Sequence, residues 1–285
     1  MILQNLKNNN TLTSSEKAAA DYILKNPDRV LKMTFREFAE QIYVSAPTII
    51  RLCKKLGYES FTDFKMDLSK ATTDEYQKMQ NIDYNFPFSK ETSLEEAVNS
   101  LSTIAISNIM KLRDNFDYLA LQKICNILAN KHFIDIYGTG LSIKCAAEFR
   151  EKMMHIGYHV TMVDEDAQAD FWAHNANESQ CALMISYSGK TTTMRKVIKI
   201  LHKKNVKVIL ITGNPQADMV KYADVVYYIQ SDEQLEMSKK IDSFGVQYDM
   251  HYVLDCIYTG VFLQNYDSNY EKTKYYGDYQ FKSRE

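Results

Sequence analysis

A chain of 285 residues that is 45% hydrophobic and 25% charged has the make-up of a soluble globular protein and the length for two separate cores. No apolar run approaches the roughly 20 residues that span a bilayer, and no basic flank precedes an N-terminal apolar segment, so a cytoplasmic protein without membrane attachment is expected. Net charge is −2, which excludes a general nucleic-acid coat; residues 1–70 nevertheless hold 11 basic against 8 acidic side chains, which confines any nucleic-acid contact to one small face.

The first 70 residues read as short helices with sharp starts. Thr13-Ser14-Ser15-Glu16 is a capping box for a helix to about Lys25, and Asn26-Pro27 opens another that runs to Met33. Thr34-Phe35-Arg36-Glu37 starts a third, to about Ile42; Ser45-Ala46-Pro47-Thr48 starts a fourth, closed by Gly57; Ser60 begins a fifth. The stretch 73–92, polar and without a clean period, reads as a linker that is helical in part. Helical spacing returns from Thr92 to about Asn130. Five apolar β-rich runs follow, Phe133–Tyr137, Tyr158–Val163, Cys181–Ser186, Val206–Thr212 and Val225–Ile229, with amphipathic Cys145–Ile156 and Thr192–His202 between them. Continuous apolar strands alternating with helices predict an α/β domain, a five-stranded parallel sheet in flavodoxin-like order 2-1-3-4-5 with helices on both faces, beside a separate all-α domain. Ser243 to Asn265 is helical, and the tyrosine-rich end reads either as a frayed tail or as a dimer contact.

Phe35 to Leu56 has the pattern of a helix-turn-helix. Phe38, Ala39 and Ile42 give the first helix an apolar stripe, Val44 plugs the turn, and Ile49, Leu52, Cys53 and Leu56 bury the second helix. Ser45 opens that helix, and Thr48, Arg51, Lys54 and Lys55 are expected on its outward face. In such motifs the N-terminal residues of the second helix meet base edges, so Thr48 and Arg51 are candidates for base contact. Lys54 and Lys55 suit phosphates and contribute affinity. The run Leu12-Thr13, Glu16-Lys17, Tyr22-Ile23-Leu24, Asn26-Pro27 and Phe38-Ala39-Glu40, and above all Val44 to Tyr58 continued by Phe61, Asp63, Phe64 and Lys65, closely resembles the RpiR/MurR family of bacterial transcription regulators. The resemblance implies double-stranded operator DNA as a partner.

Two loops follow strand ends. Gly138-Thr139-Gly140-Leu141-Ser142 comes after the first strand, and Ser186-Tyr187-Ser188-Gly189-Lys190-Thr191 after the third. Gly138, Gly140 and Gly189 allow tight turns that bare backbone N–H groups; Thr139, Ser142, Ser186, Ser188 and Thr191 add hydroxyls and Lys190 a charge, a set suited to an anion. In a 2-1-3-4-5 sheet these strands are neighbours at the switch point where ligands collect. Ile185 to Gly189 and Ile211-Thr212-Gly213 resemble the sugar isomerase (SIS) domain that RpiR/MurR regulators carry. That resemblance implies a sugar-phosphate effector, with Ser142, Ser186, Ser188 and Thr191 at phosphate-binding positions. A nucleotide P-loop would need glycine five residues before Gly189, where Met184 stands.

The expected organisation is a helix-turn-helix domain over 1–72, a linker over 73–92, an SIS sugar-phosphate-binding and dimerisation domain over 93–270 and a tail over 271–285. The expected function is DNA binding controlled by a sugar phosphate, in a homodimer or dimer of dimers. The alternative is a sugar-phosphate isomerase or lyase of the SIS type. SIS isomerases often carry glutamate after Ser-x-Ser-Gly, and this chain has Lys190 there, so no catalytic residue is assigned. No cofactor or metal is expected, because the six His are dispersed and the five Cys lack C-x-x-C spacing. Asp164-Glu165-Asp166 reads as a solvated loop, and Tyr22, Tyr43 and Tyr58 as packing residues.

Overall fold

Thr13 and Thr34 start two helices by the same device, a hydroxyl that accepts from the backbone three residues on while a glutamate reaches back. Glu16 N donates to Thr13 Oγ1 at 3.4 Å and Glu37 N to Thr34 Oγ1 at 3.3 Å, and each glutamate accepts the cap residue's own N–H at 2.8 Å. A cap of this kind is worth about 1 kcal/mol, enough to fix where a short helix begins. The computed structural model describes residues 2, 5, 6, 11–80, 82–164 and 166–282, and backbone alone for 72–80, 166–167 and 276–282. Contacts divide the chain into two units, Met1–Ile82 and Asp83–Glu285.

The first unit holds α1 (Ser14–Lys25), α2 (Pro27–Lys32), α3 (Phe35–Gln41), α4 (Ala46–Lys55) and α5 (Phe61–Gln80). Ile23, Phe38, Ile49, Leu52, Phe64 and Leu68 are sealed in its core, and Ala39 permits close approach of α3 and α4. Ile2 and Leu6 are also buried there, a contribution the capping pattern gives no hint of. The fifth helix, whose end the sequence pattern left open, is 20 residues long and reaches into the stretch read as a partly helical linker. Residues 83–92 are not free of structure either. The Asp83 carboxylate accepts from the N–H groups of Asn85 and Phe86, and the buried Tyr84 hydroxyl lies 2.8 Å from Ser107 Oγ in the second unit.

The second unit runs α6 (Leu94–Asp114), α7 (Tyr118–Ala129), β1 (Phe133–Gly138), α8 (Gly140–Lys144), α9 (Ala146–His155), β2 (His159–Val163), α10 (Asp166–Asn175), β3 (Gln180–Ile185), α11 (Thr192–Lys203), β4 (Lys207–Thr212), β5 (Val225–Tyr228), α12 (Gly245–Gln264) and α13 (Tyr266–Lys282). The strands are parallel in the order β2-β1-β3-β4-β5, as expected. Alternate side chains of each strand enter opposite cores. Ile134, Ile136, Leu183, Ile185, Ile209 and Ile211 face one layer with α7, α9 and α12; Tyr137, Ala182, Met184, Val208 and Leu210 face the other with α10 and α11. Burying a Leu or Ile side chain contributes roughly 1.5–3 kcal/mol, so both layers hold the sheet. The sequence pattern misses α10, α8 and the extent of the last helix: the tyrosine-rich end is helical to Lys282, and Lys272 donates to the Ile156 carbonyl at 3.0 Å.

Candidate functional site

The DNA-facing candidates lie on α4 and its cap. Ser45 is the N-cap and is exposed; its side chain makes no cap bond and instead lies 2.8 Å from Thr48 Oγ1. Thr48 is not outward as expected: it is 4% exposed, and its hydroxyl also accepts from the Arg51 guanidinium at 3.4 Å. The side chains of Ser45 and Arg51, both bonded to its hydroxyl, help to cover it. Arg51 and Lys54 are exposed. Lys55 is committed within its own unit, donating to Glu16 Oε2 at 2.7 Å and to the Thr11 carbonyl at 2.9 Å. Burial alone would raise the Glu16 carboxyl; the bonds from Lys55 and Thr13 outweigh it and hold it below its ordinary value.

The turn before α4 differs from the expectation at one residue. Val44 packs against the core, and its N–H donates to the Ala39 carbonyl at 2.9 Å. Tyr22 and Tyr58 lie against Phe38 and Phe64. Tyr43 is not packed among the described residues: it is 97% exposed, with φ +57°. Its position at the tip of a tight turn turns the side chain outward, whatever its hydrophobicity.

In the second unit the loops after β1 and β3 meet at the carboxyl edge of the sheet. A cavity of about 280 Å³ is lined by Thr139, Leu141, Ser142, Ser186, Tyr187, Ser188, Thr191, Leu235, Met237, Lys240 and Ser243. The hydroxyl residues expected from sequence are therefore brought together. Gly138, Gly140, Gly189 and Lys190 are not in the lining. The glycines shape the loops instead: Gly140 and Gly189 take φ +57° and +65°, and a Cβ on Gly189 would lie 2.3 Å from Ala217 Cβ. Lys190 turns aside and pairs with Glu236 at 2.8 Å. The bonds of Lys190 and Lys239 pull the Glu236 carboxyl down to about 2.

Ser186 lines the cavity and is 4% exposed, and its buried Oγ has no hydrogen-bond partner among the described residues. A buried hydroxyl left unpaired costs about 1–3 kcal/mol, which a ligand oxygen would recover. Thr191, a lining residue, is the N-cap of the 12-residue α11 and makes no side-chain cap bond, so the positive end of that helix begins at the cavity wall without a side-chain cap. Tyr187 ties the loop after β3 to the segments that follow β4 and β5. Its carbonyl accepts from Gly213 N at 2.9 Å, its hydroxyl donates to the Glu233 carbonyl at 3.0 Å, and its ring leaves no room for a side chain at residue 213.

The remaining wall, Leu235 to Ser243, is where sequence reasoning found nothing. It brings a buried ion pair: Lys240 Nζ lies 3.1 Å from Glu233 Oε2, both side chains are sealed from solvent, and the ammonium sits 5.3 Å from the centroid of the Tyr187 ring. The other Glu233 oxygen accepts from the N–H groups of Gly245 and Val246, capping α12. The only available signal was position, a segment after the last strand at the edge where ligands collect. Of Asp164-Glu165-Asp166, Asp164 is exposed and outside the lining; Glu165 and the Asp166 side chain lie outside the described residues. Among the described residues, no cluster of three His, Cys, Asp or Glu is placed to hold a metal, and no helix is long and apolar enough to cross a membrane.

Two family models match this chain: a helix-turn-helix domain of the rpiR family over residues 1–75, and an SIS domain over 127–254. An uncharacterized HTH-type transcriptional regulator of Haemophilus influenzae is 28% identical over 249 residues, 87% of this chain and 85% of the relative. The uncharacterized HTH-type transcriptional regulator YbbH of Bacillus subtilis is 27% identical over 272 residues, covering 94% and 91%. Among solved structures, the Vibrio vulnificus NanR protein complexed with ManNAc-6P aligns over 98% of this chain and 97% of its own, with TM-score 0.59 and 18% identity. The sugar isomerase domain of an RpiR transcription factor from Sphaerobacter thermophilus aligns over 64% and 98%, with TM-score 0.56 and 11% identity. At these identities the structural matches speak to fold alone.

Proposed function

Since the chain belongs to the RpiR family of HTH-type transcriptional regulators, we propose that it binds operator DNA through α4 under the control of a sugar phosphate held in the second unit. The observation that carries the effector half is the unpartnered, buried Ser186 hydroxyl in a wall shared with Ser142, Ser188 and Thr191. These groups offer a phosphate several neutral donors and a helix N-terminus. ManNAc-6P, the compound in the Vibrio NanR complex, is the first effector to test. On the DNA side Arg51 and Lys54 are the exposed candidates, with Ser45 at the helix tip; Thr48 and Lys55 would act by positioning. The reading includes a homodimer, or a dimer of dimers, that presents two copies of α4 to a palindromic site.

The isomerase alternative needs a base beside the sugar carbons. Among the described lining residues there is no carboxylate or imidazole, and the cation at Lys240 is engaged by Glu233. That favours sensing over turnover. The test is a thermal-shift screen of ManNAc-6P and other sugar phosphates, followed by DNA protection with and without the compound that shifts. A stabilising sugar phosphate that changes DNA protection supports the proposal. No shift with any of them sinks the effector half, and product formed from the bound compound moves the assignment to an isomerase.

A further inference from the structure

Two described non-glycine residues hold a positive φ, Tyr43 and Asn205. Asparagine visits this region readily; a tyrosine there is an outlier, because its Cβ crowds the backbone. Glycine would relieve that crowding at no loss of contact, since Tyr43 is 97% exposed and neither a hydrogen bond nor a ring neighbour holds its side chain among the described residues. The isolated unit therefore gains nothing visible from the phenol. Strain of this kind, kept where it brings no packing, marks a functional contact.

The position says what it contacts. Tyr43 stands two residues before Ser45, the N-cap of α4, in the turn between the two helices of the motif. The start of the second helix approaches base edges while the first helix crosses the strand backbone, so the turn lies near the rim of the groove. A neutral phenol there offers one O–H donor and a flat ring, the kind of group that bonds phosphate oxygens and packs on sugars. We propose that Tyr43 is a DNA-backbone contact, a grip on the groove edge that supplements Arg51 and Lys54; this rests on the DNA-binding reading above.

The experiment uses the full chain and a duplex selected by the wild-type protein from a random pool, with a scrambled duplex beside it. Tyr43→Gly is expected to keep or raise the melting temperature while weakening both duplexes by the same factor, about tenfold, as loss of a backbone contact should. Tyr43→Phe isolates the hydroxyl and is expected to give part of that loss. Neither variant should change the slope of log affinity against log salt, because no charge is removed, whereas Lys54→Ala should reduce it by about 1. Unchanged affinity in Tyr43→Gly overturns the proposal, as does a loss confined to the selected duplex. If Arg51→Ala abolishes binding while Tyr43→Gly retains it, the Tyr43 assignment fails and the regulator stands. If the wild-type chain selects no DNA, both fail.

Discussion

Lys55, in the last turn of α4, is bonded to Glu16 in the first turn of α1, with Nζ 2.7 Å from Oε2 and the glutamate side chain sealed from solvent. One carboxylate thus caps α1 through Thr13 and fixes the far end of α4. Glu16→Gln should keep the cap but lose the charge-assisted bond, at a cost of about 1–2 kcal/mol, the low end because Lys55 is a third exposed. The folded-state value of this carboxyl is depressed, so its stabilisation is present above its ordinary value of 4.5 and is lost as pH falls through the lower folded value. Thermal melts of the wild type below pH 4.5 should therefore lose this increment, and melts of Glu16→Gln should lack that part of the acid decline. Parallel decline in both would refute it.

A second prediction concerns the loop after β3. Gly189→Ala places a Cβ 2.3 Å from Ala217 Cβ at a backbone φ of +65°, so both space and conformation oppose it. The cost should be about 1–3 kcal/mol, and any sugar-phosphate thermal shift should shrink with it. A variant that melts and responds like wild type would show that the loop relaxes freely.

The pair Glu233 and Lys240 makes a third. Removing one member leaves a buried charge without its partner, which costs about 3–5 kcal/mol. Glu233→Ala also removes the acceptor for Gly245 and Val246 at the start of α12, so it should be worse than Lys240→Met. The double variant Glu233→Gln with Lys240→Met should recover much of the loss. Denaturant melts of the wild type, Glu233→Gln, Lys240→Met and the double variant form a double-mutant cycle, and strict additivity would argue against coupling.

Asp249 gives a pH prediction of opposite sign. Burial pushes its carboxyl up to about 7, aided by the nearby Glu233 and opposed by the bond from Asn108, and one of its oxygens lacks a partner. The folded chain then binds a proton that the unfolded chain has released, so stability declines as pH rises from 3.8 to about 7. Asp249→Asn should flatten that decline and raise the melting temperature at pH 8. A lower melting temperature there would mean the ionised carboxylate is needed.

Particular residues show what the sequence could tell. Strands covered on both faces are nearly unbroken apolar runs, so Cys181 to Ile185 and Val208 to Ile211 announced themselves, and with them the loops at their ends. Capping boxes marked Thr13 and Thr34 because the bonds are local. Contacts made across the fold were invisible. A helical wheel gives Lys55 an outward angle but not the Glu16 that awaits it 39 residues earlier. Thr48 was misplaced because direction from a helix axis does not report the neighbours that cover it. The wall from Leu235 to Ser243 has no period to read; its members converge only through chain path.

The pairing of Lys190 with Glu236 has a consequence for selectivity. With that ammonium neutralised in place, the loop presents dipoles rather than a free charge to whatever enters the cavity. A fixed dipole acts over a short range and a set direction, whereas a lone lysine would draw many anions from solution. Recruitment should then vary little with ionic strength, and discrimination should fall to the fit of the whole molecule. Free inorganic phosphate, abundant in any cell, would be a weak competitor for such a pocket.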